Sequence, residues 1–312
     1  MPARRRPLAL FLTALALDVA LGEPPTPLHP TAWVGRTLPP LEGLGLRLDG
    51  RRQRLFGLAV AVALPLVLAW RASGWLAGLE RRSPWLAFLA EAALLKSTFA
   101  VRGLLGEARA LRQALEREDL PAARWRARSL VGRDVSVLDG SRLVSAGLES
   151  LAENTTDAFL APWLYYLLLG TPGALAYRAI NTMDAMWGYR GRYEELGKAA
   201  ARLDDAANLL PARLAALLLA LASGRPLRAL AIAWRHHRRT ESPNAGWTMA
   251  AMAGALGVEL EKPGHYRLGE ARRPLRPHLL DEGTAIVART AALGAALVAG
   301  ALLLRGRRQG RG

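Results

Sequence analysis

Apolar runs alternate with short charged blocks along the whole chain. The clearest runs are 8–22 (LALFLTALALDVALG), 55–70 continuing more weakly to 79, 209–222 and 285–304. A bilayer core about 30 Å thick is crossed by roughly 20 mostly apolar helical residues. Segments 55–79 and 285–304 meet that length, whereas 85–105 and 158–180 meet it only with charges or Gly-Pro interruptions. Segments 55–79 and 85–105 read as a helical hairpin turned at Arg81-Arg82-Ser83-Pro84. Residues 106–133 are charged and rich in Ala and Leu, which predicts a polar helical pair broken at Asp119-Leu120-Pro121. A helix capped at Ser141 runs to 169, is broken at Gly170-Thr171-Pro172-Gly173, and resumes from Ala174 to about Trp187. The stretch 193–222 is helical with Pro211 inside it. Residues 23–50 form loop or broken helix, and 240–277 carry the longest irregular segment. Neither useful β-alternation nor an internal repeat is present. The pattern predicts an all-α, polytopic integral membrane protein with broken or re-entrant helices. It is organised as a single membrane domain over 1–312, with a charged helical insertion at about 106–140.

Charge changes this picture less than its size implies. The net charge is +16, carried by 39 Arg and three Lys, while 51% of residues are apolar. Such basicity also fits nucleic-acid binders, but the arginines sit in blocks flanking the apolar runs, so they read as anchors to anionic lipid. No nucleic-acid partner is expected. The absence of cysteine excludes disulfides, thiolate metal sites and a cysteine nucleophile. Segment 8–22 follows Arg4–Arg6 and has small residues at Ala20 and Gly22, so it reads as either a signal peptide or a short retained helix.

Candidate chemistry lies in three acidic clusters beside apolar helices. Glu149, Glu153 and Asp157 are spaced i, i+4, i+8, which places three carboxylates on one helix face, with Asn154 among them. Asn181 and Asp184 form the second cluster, and Asp204 and Asp205, with Asn208 one turn on, the third. Acids at a membrane boundary are costly and point to function. Carboxylate and amide oxygens of this kind suit Mg²⁺, which keeps waters and bridges to substrate phosphates. The plainer alternative is that the acids only pair with arginines. Arg178, Arg190 and Arg192 are the candidate phosphate ligands, because guanidinium holds phosphate in a bidentate fork. Lys96, in an apolar helix with Glu91 five residues before it, is either a phosphate ligand or a paired helix-end charge. His236-His237 belongs to the basic block 235–239, and neither a P-loop nor a dinucleotide fingerprint is present.

Asp18-x-x-Leu21-Gly22-Glu23-Pro24, Lys96-Ser97-Thr98, the block Glu149 to Asp157 and Ser242 to Trp247 stand in an order that resembles the CobD/CbiB cobalamin-biosynthesis membrane proteins over nearly the whole chain. The resemblance begins with Asp18-x-x-Leu21-Gly22-Glu23-Pro24, Leu28-His29-Pro30 and Gly35-Arg36, and continues with Lys96-Ser97-Thr98 and Val131-Gly132-Arg133-Asp134. It then takes in Glu149 to Asp157, Ala176 to Asp184, Gly188-Tyr189, Ala201 to Asp205, Asn208, Pro211-Ala212-Arg213 and Ser242 to Trp247. Ala158 stands where the family pattern leads one to expect glycine, a small change. Because the matching block starts inside 8–22, the resemblance implies that this segment is retained.

The resemblance implies adenosylcobinamide-phosphate synthase activity, an ATP-dependent amide ligation of adenosylcobyric acid to aminopropanol phosphate or aminopropanol. ATP would be a co-substrate, with Mg²⁺ held by Glu149, Glu153, Asp157, Asp184, Asp204 and Asp205. Glu153, Asp157 and Asp184 are the expected catalytic acids. Lys96, Asn154, Arg178, Asn181, Arg190 and Arg192 are expected at substrate or phosphate, and Ser242 and Asn244 in a loop near the corrinoid. Cytoplasmic substrates imply a multi-pass protein of the cell (inner) membrane whose helical active-site region faces the cytoplasm. Docking of other cobalamin-assembly enzymes on the basic loops is left open. Two other classes compete: an intramembrane prenyltransferase-like Mg²⁺-diphosphate enzyme, and a non-catalytic corrinoid-binding scaffold or transporter.

Overall fold

The computed structural model describes residues 6–24, 30–131, 134–189 and 191–308. In chain order the helices are α1 (Arg6–Leu21), α2 (Pro30–Gly45), α3 (Gly50–Arg82), α4 (Pro84–Lys96), α5 (Val101–Glu116) and α6 (Leu120–Leu130). They continue as α7 (Gly140–Thr155), α8 (Ala161–Trp187), α9 (Lys198–Ala222), α10 (Pro226–His236), α11 (Ala245–Leu256) and α12 (His278–Arg308). A π turn, Thr156–Leu160, joins α7 to α8, and strands β1 (Glu259–Lys262) and β2 (Tyr266–Gly269) follow α11. Among the described residues five helical stretches are long and apolar enough to cross a membrane: Gly50–Arg82, Pro84–Glu116, Gly140–Trp187, Lys198–Ala222 and His278–Arg308. The protein is an all-α polytopic membrane protein. α1, at 16 residues, is shorter than a full span.

The helix ends follow local chemistry. Ser83 ends α3 and caps α4, accepting from the Leu86 amide, with Pro84 in the first helical turn. Asp119 caps α6 through the Ala122 amide. α7 is capped by Asp139, which accepts from the Arg142 amide, and not by Ser141 as the sequence predicts; Ser141 donates its hydroxyl to that same aspartate.

One compact unit comprises Met1–Ala100, Ala161–Ala207 and Leu297–Gly312. Within it α1 packs on α4, and α8 packs on α2, α3 and α4. α3 turns small residues inward (Gly57, Ala61) and leaves Leu55, Leu58, Val62, Leu66 and Trp70 exposed, the distribution expected of a lipid-facing helix. α8 is broken at Gly170, whose φ of 70° and ψ of −167° only glycine adopts without strain. The break is stabilised from two sides: Arg305 Nη1 donates to the Leu167 carbonyl (3.1 Å), and Thr171 Oγ1 donates to Glu91 (3.1 Å).

The second unit comprises Val101–Leu160 and Asn208–Ala296. Its centre is α7, buried continuously from Leu143 to Ala152 and surrounded by α5, α6, α11 and β1. The segment 240–277, expected to be irregular, contains α11 and an antiparallel hairpin in which buried Leu260 faces buried Leu268. Strands of four residues are too short for alternation to show in the sequence.

Candidate functional site

In the first unit the sequence-predicted residues fall into two linked groups. Lys96, at the end of α4, is buried and pairs with Glu23 and with Asp18 (3.4 Å), which is 1% exposed. The sequence neighbour Glu91 serves elsewhere, pairing with Arg6 (3.1 Å). Nothing local could reveal this, since Asp18 and Glu23 lie more than 70 residues upstream of Lys96. Lys96 lines a cavity of about 960 Å³ together with Glu23, Thr37, Arg71, Ser97 and Arg178, and its remaining walls are apolar, among them Trp33, Leu64, Leu68 and Trp75. Arg178 Nη1 donates to Asn181 Oδ1 (3.0 Å), and Asn181 Nδ2 reaches Asp204 Oδ1 (3.4 Å). The second and third acidic clusters are thus joined across α8 and α9, with a guanidinium at one end. Asp184 is half-buried one turn beyond Asn181, and Asp205 is half-buried beside Asp204. A Cβ at Gly188 would overlap the Asp184 carboxylate, so glycine leaves room for it. Arg192 is exposed and pairs with Glu42 (3.4 Å). Arg190 lies outside the described residues.

In the second unit Glu149 is buried, and its two oxygens accept from Ser145 Oγ (2.7 Å) and Tyr266 Oη (2.7 Å). Ser145 Oγ also accepts from the Glu261 amide (2.9 Å), so Glu149 ties α7 to the hairpin. Glu153 is exposed and Asp157 half-buried. The i, i+4, i+8 spacing therefore does not give three carboxylates one environment. Asp157 lies in the π turn, where the wider turn displaces it from the α-helical face; such turns concentrate at functional sites. Asn154 Nδ2 donates back to Ser150 (3.0 Å to its carbonyl).

Ser242 and Asn244 shape a tight turn: Ser242 Oγ accepts from the Asn244 amide (3.2 Å), and Arg213 donates to Asn244 Oδ1 and to the Pro243 carbonyl (3.2 Å). The Arg213 guanidinium lies over Trp247 (5.3 Å), which stacks on His237 (4.0 Å). Gly246 approaches so closely that a Cβ would overlap the His237 carbonyl oxygen. Gly246→Ala is expected to cost about 1–3 kcal/mol, read as a lower thermal midpoint in detergent; an unchanged midpoint would show the turn to be loose.

His236 Nδ1 accepts from the Gly269 amide (2.9 Å), which requires the neutral ring. Burial, then Arg239 and Arg235, hold its pKa below the ordinary 6.5, partly offset by Glu270 and Glu259. A group whose folded pKa is depressed in this way binds its proton more readily unfolded. Its contribution is complete above 6.5 and is lost as pH falls towards the folded value. The thermal midpoint should drop over that window, and His236→Asn, which keeps an acceptor but does not titrate, should flatten the drop. An identical pH profile in the variant would refute the role.

Among the described residues no group of three or more histidine or acidic side chains is arranged to hold a metal ion. Mg²⁺ commonly takes only one or two protein carboxylates and completes its shell with water and phosphate, so the candidate ligands in the first unit are any one or two of Asp184, Asp204 and Asp205. Glu149, with both oxygens engaged by hydroxyls, fits a positioning role better than an open ligand.

Fold and site together define a polytopic helical membrane protein with arginine, amide and carboxylate groups joined beside a largely apolar cavity. A family model described as CobD/Cbib protein matches residues 11–295, and the chain belongs to this CobD/CbiB family. Cobalamin biosynthesis protein CobD of Dehalococcoides mccartyi (strain CBDB1) is 44% identical over 280 residues, covering 88% of this chain and 90% of that protein. The protein of the same name from Rhodobacter capsulatus is 41% identical over 307 residues, with 96% of each chain covered. Cobalamin biosynthesis protein CbiB of Salmonella typhi is 37% identical over 81% of this chain and 82% of its own. No solved structure matches the chain.

Proposed function

We propose that this protein acts in cobalamin biosynthesis as an adenosylcobinamide-phosphate synthase, an ATP-dependent ligase. It would join the propionate carboxylate of adenosylcobyric acid to the amine of aminopropanol phosphate or aminopropanol. Family membership supports the pathway. The observation that carries the reaction type is the Arg178–Asn181–Asp204 chain with Asp184 and Asp205 nearby in sequence, a donor set suited to phosphate and its counter-ion.

A carboxylate does not acylate an amine in water until an oxygen becomes part of a leaving group. One carboxylate oxygen would attack the γ-phosphorus of ATP, the bond to the β-phosphate oxygen would break, and ADP would leave. The amine nitrogen would then attack the acyl carbon, phosphate would leave with the C–O electrons, and the amine would lose a proton to a carboxylate base. Arg178, held by Asn181, orients phosphate oxygens and meets their charge. One or two of Asp184, Asp204 and Asp205 would hold Mg²⁺, which would supply charge neutralisation on the phosphates. Because ATP is cytoplasmic, this face should open to the cytoplasm. A cysteine introduced at 184 should resist impermeant reagents added to intact cells.

The test is the purified protein in detergent with Mg²⁺, ATP, adenosylcobyric acid and aminopropanol phosphate. Amide product and ADP should appear in equal amounts and vanish with EDTA. Corrinoid binding without ADP release would favour a non-catalytic scaffold.

A further inference from the structure

α10 begins four residues beyond Ala222, the end of the candidate span Lys198–Ala222, after a tight turn through Gly224 (φ 72°). A span that ends at Ala222 would place the first turn of α10 at the edge of the bilayer. Two large apolar side chains on it are left in the open: Leu227 is 85% exposed and Trp234 72%. They are seven positions apart, so at about 100° per residue they fall within about 20° of each other on one stripe. The opposite face, with Ala229, Ile232 and Ala233, is buried against α11. Arg228 and Arg235 stand one position on from each stripe residue, about 100° round the helix, so they line one side of it. From 223 to 240 there are five arginines and no acid. A helix with an exposed apolar stripe and arginines along one side of it is suited to the plane of a membrane surface.

The arginines are not equivalent. Arg235 pairs with Glu270 (2.8 Å), and Arg239 donates to the Arg267 carbonyl (3.1 Å). At the C-terminal turn of α11, Arg225 reaches the Ala255 carbonyl (3.5 Å) and Arg273 the Leu256 carbonyl (3.3 Å), which is ordinary helix capping. Arg228 converges on the same turn without such a bond. Its guanidinium lies over Gly257, 2.5–3.2 Å from where a Cβ would stand, and its buried Nε has no hydrogen-bond partner among the described residues. Burial, then Arg272 and Arg225, lower its pKa, and only Glu270, already shared by Arg235 and Arg272, acts against them. Like charges gathered at a membrane edge call for an anion.

We propose that α10 is an in-plane helix that binds the headgroup phosphate of an anionic phospholipid through Arg228, Arg225 and Arg272, with Leu227 and Trp234 set in the acyl boundary. Packing of α10 on α11 would then hold the Ser242–Trp247 turn at headgroup depth. A soluble polyphosphate offers the same phosphate chemistry, and the experiment separates the two.

The chain has no cysteine, so Leu227→Cys gives a single labelling site in the full-length protein. The labelled protein is placed in nanodiscs of phosphatidylcholine alone or with roughly 30 mol% phosphatidylglycerol, and quenching by spin-labelled lipid is read. At least about twofold stronger quenching is expected with phosphatidylglycerol, and Arg228→Gln should reduce it to the phosphatidylcholine level while Arg228→Lys retains most of it. Millimolar pyrophosphate should leave the thermal midpoint in phosphatidylcholine discs unchanged. Equal quenching in both lipids would overturn the proposal. So would an Arg228-dependent stabilisation by pyrophosphate, which would make this a soluble-anion site. No arm reads ligase activity, so failure here and failure of the proposed reaction are distinct results.

Discussion

Asp184→Asn is expected to lower ATP-dependent amide formation by about 100- to 1,000-fold, the range seen when one group of a charge-stabilising site is lost, here the carboxylate proposed to hold the Mg²⁺ that meets the phosphate charge. The carboxylate stands at the end of α8, where the Gly188 amide closes the turn onto the Asp184 carbonyl (2.6 Å) and glycine at 188 leaves the side chain space. Asparagine has nearly the same shape, so folding should survive and only the charge is lost. Gly188→Ala, which crowds the carboxylate without removing it, should give a smaller loss of the same kind. Asp157→Asn should also reduce turnover. The measurement is ADP release matched to amide product, on protein that elutes as a single symmetric peak. Near-normal turnover in both the Asp184 and Asp157 variants would remove the acid clusters from the mechanism.

The largest effect on stability is expected at Lys96. Lys96→Met removes the cation that lies between Asp18 and Glu23, taking away its share of the charge balance at a position that is 1% exposed. Breaking a buried pair from one side costs about 3–5 kcal/mol, more than the pair itself contributes. Adding Asp18→Asn should restore much of the loss, because neither buried charge then remains. Heating the three proteins in detergent and following the surviving monodisperse peak reads the order directly. A single variant as heat-resistant as the wild type, yet inactive, would instead make Lys96 a phosphate ligand held by two acids.

What could be read in the sequence, and what could not, divides by the range of the interaction. The turn at Ser83-Pro84, the break before Pro121 and the break at Gly170 are written in one or two residues, because capping, proline and positive φ are local. The acids of α8 and α9 could be named as a group, since their spacing on each helix is visible. That Asn181 bridges them needed the packing of two helices. The partners of Lys96, the hydroxyl of Tyr266 on Glu149 and the place of Arg213 at Asn244 join residues 31 to 117 positions apart. No periodicity encodes those. The π turn at Asp157 is local but silent, because Thr-Asp-Ala-Phe-Leu is ordinary helical sequence and only the surroundings widen the turn.

The break at Gly170 also sets an order on biosynthesis. The Leu167 carbonyl exposed there is bonded by Arg305, 138 residues later. At roughly 5–20 residues per second, the ribosome needs roughly 7–28 s to deliver that arginine. Until then α8 must enter the membrane as two half-helices with an open carbonyl between them, so the unit built from the earliest part of the chain is among the last to be completed.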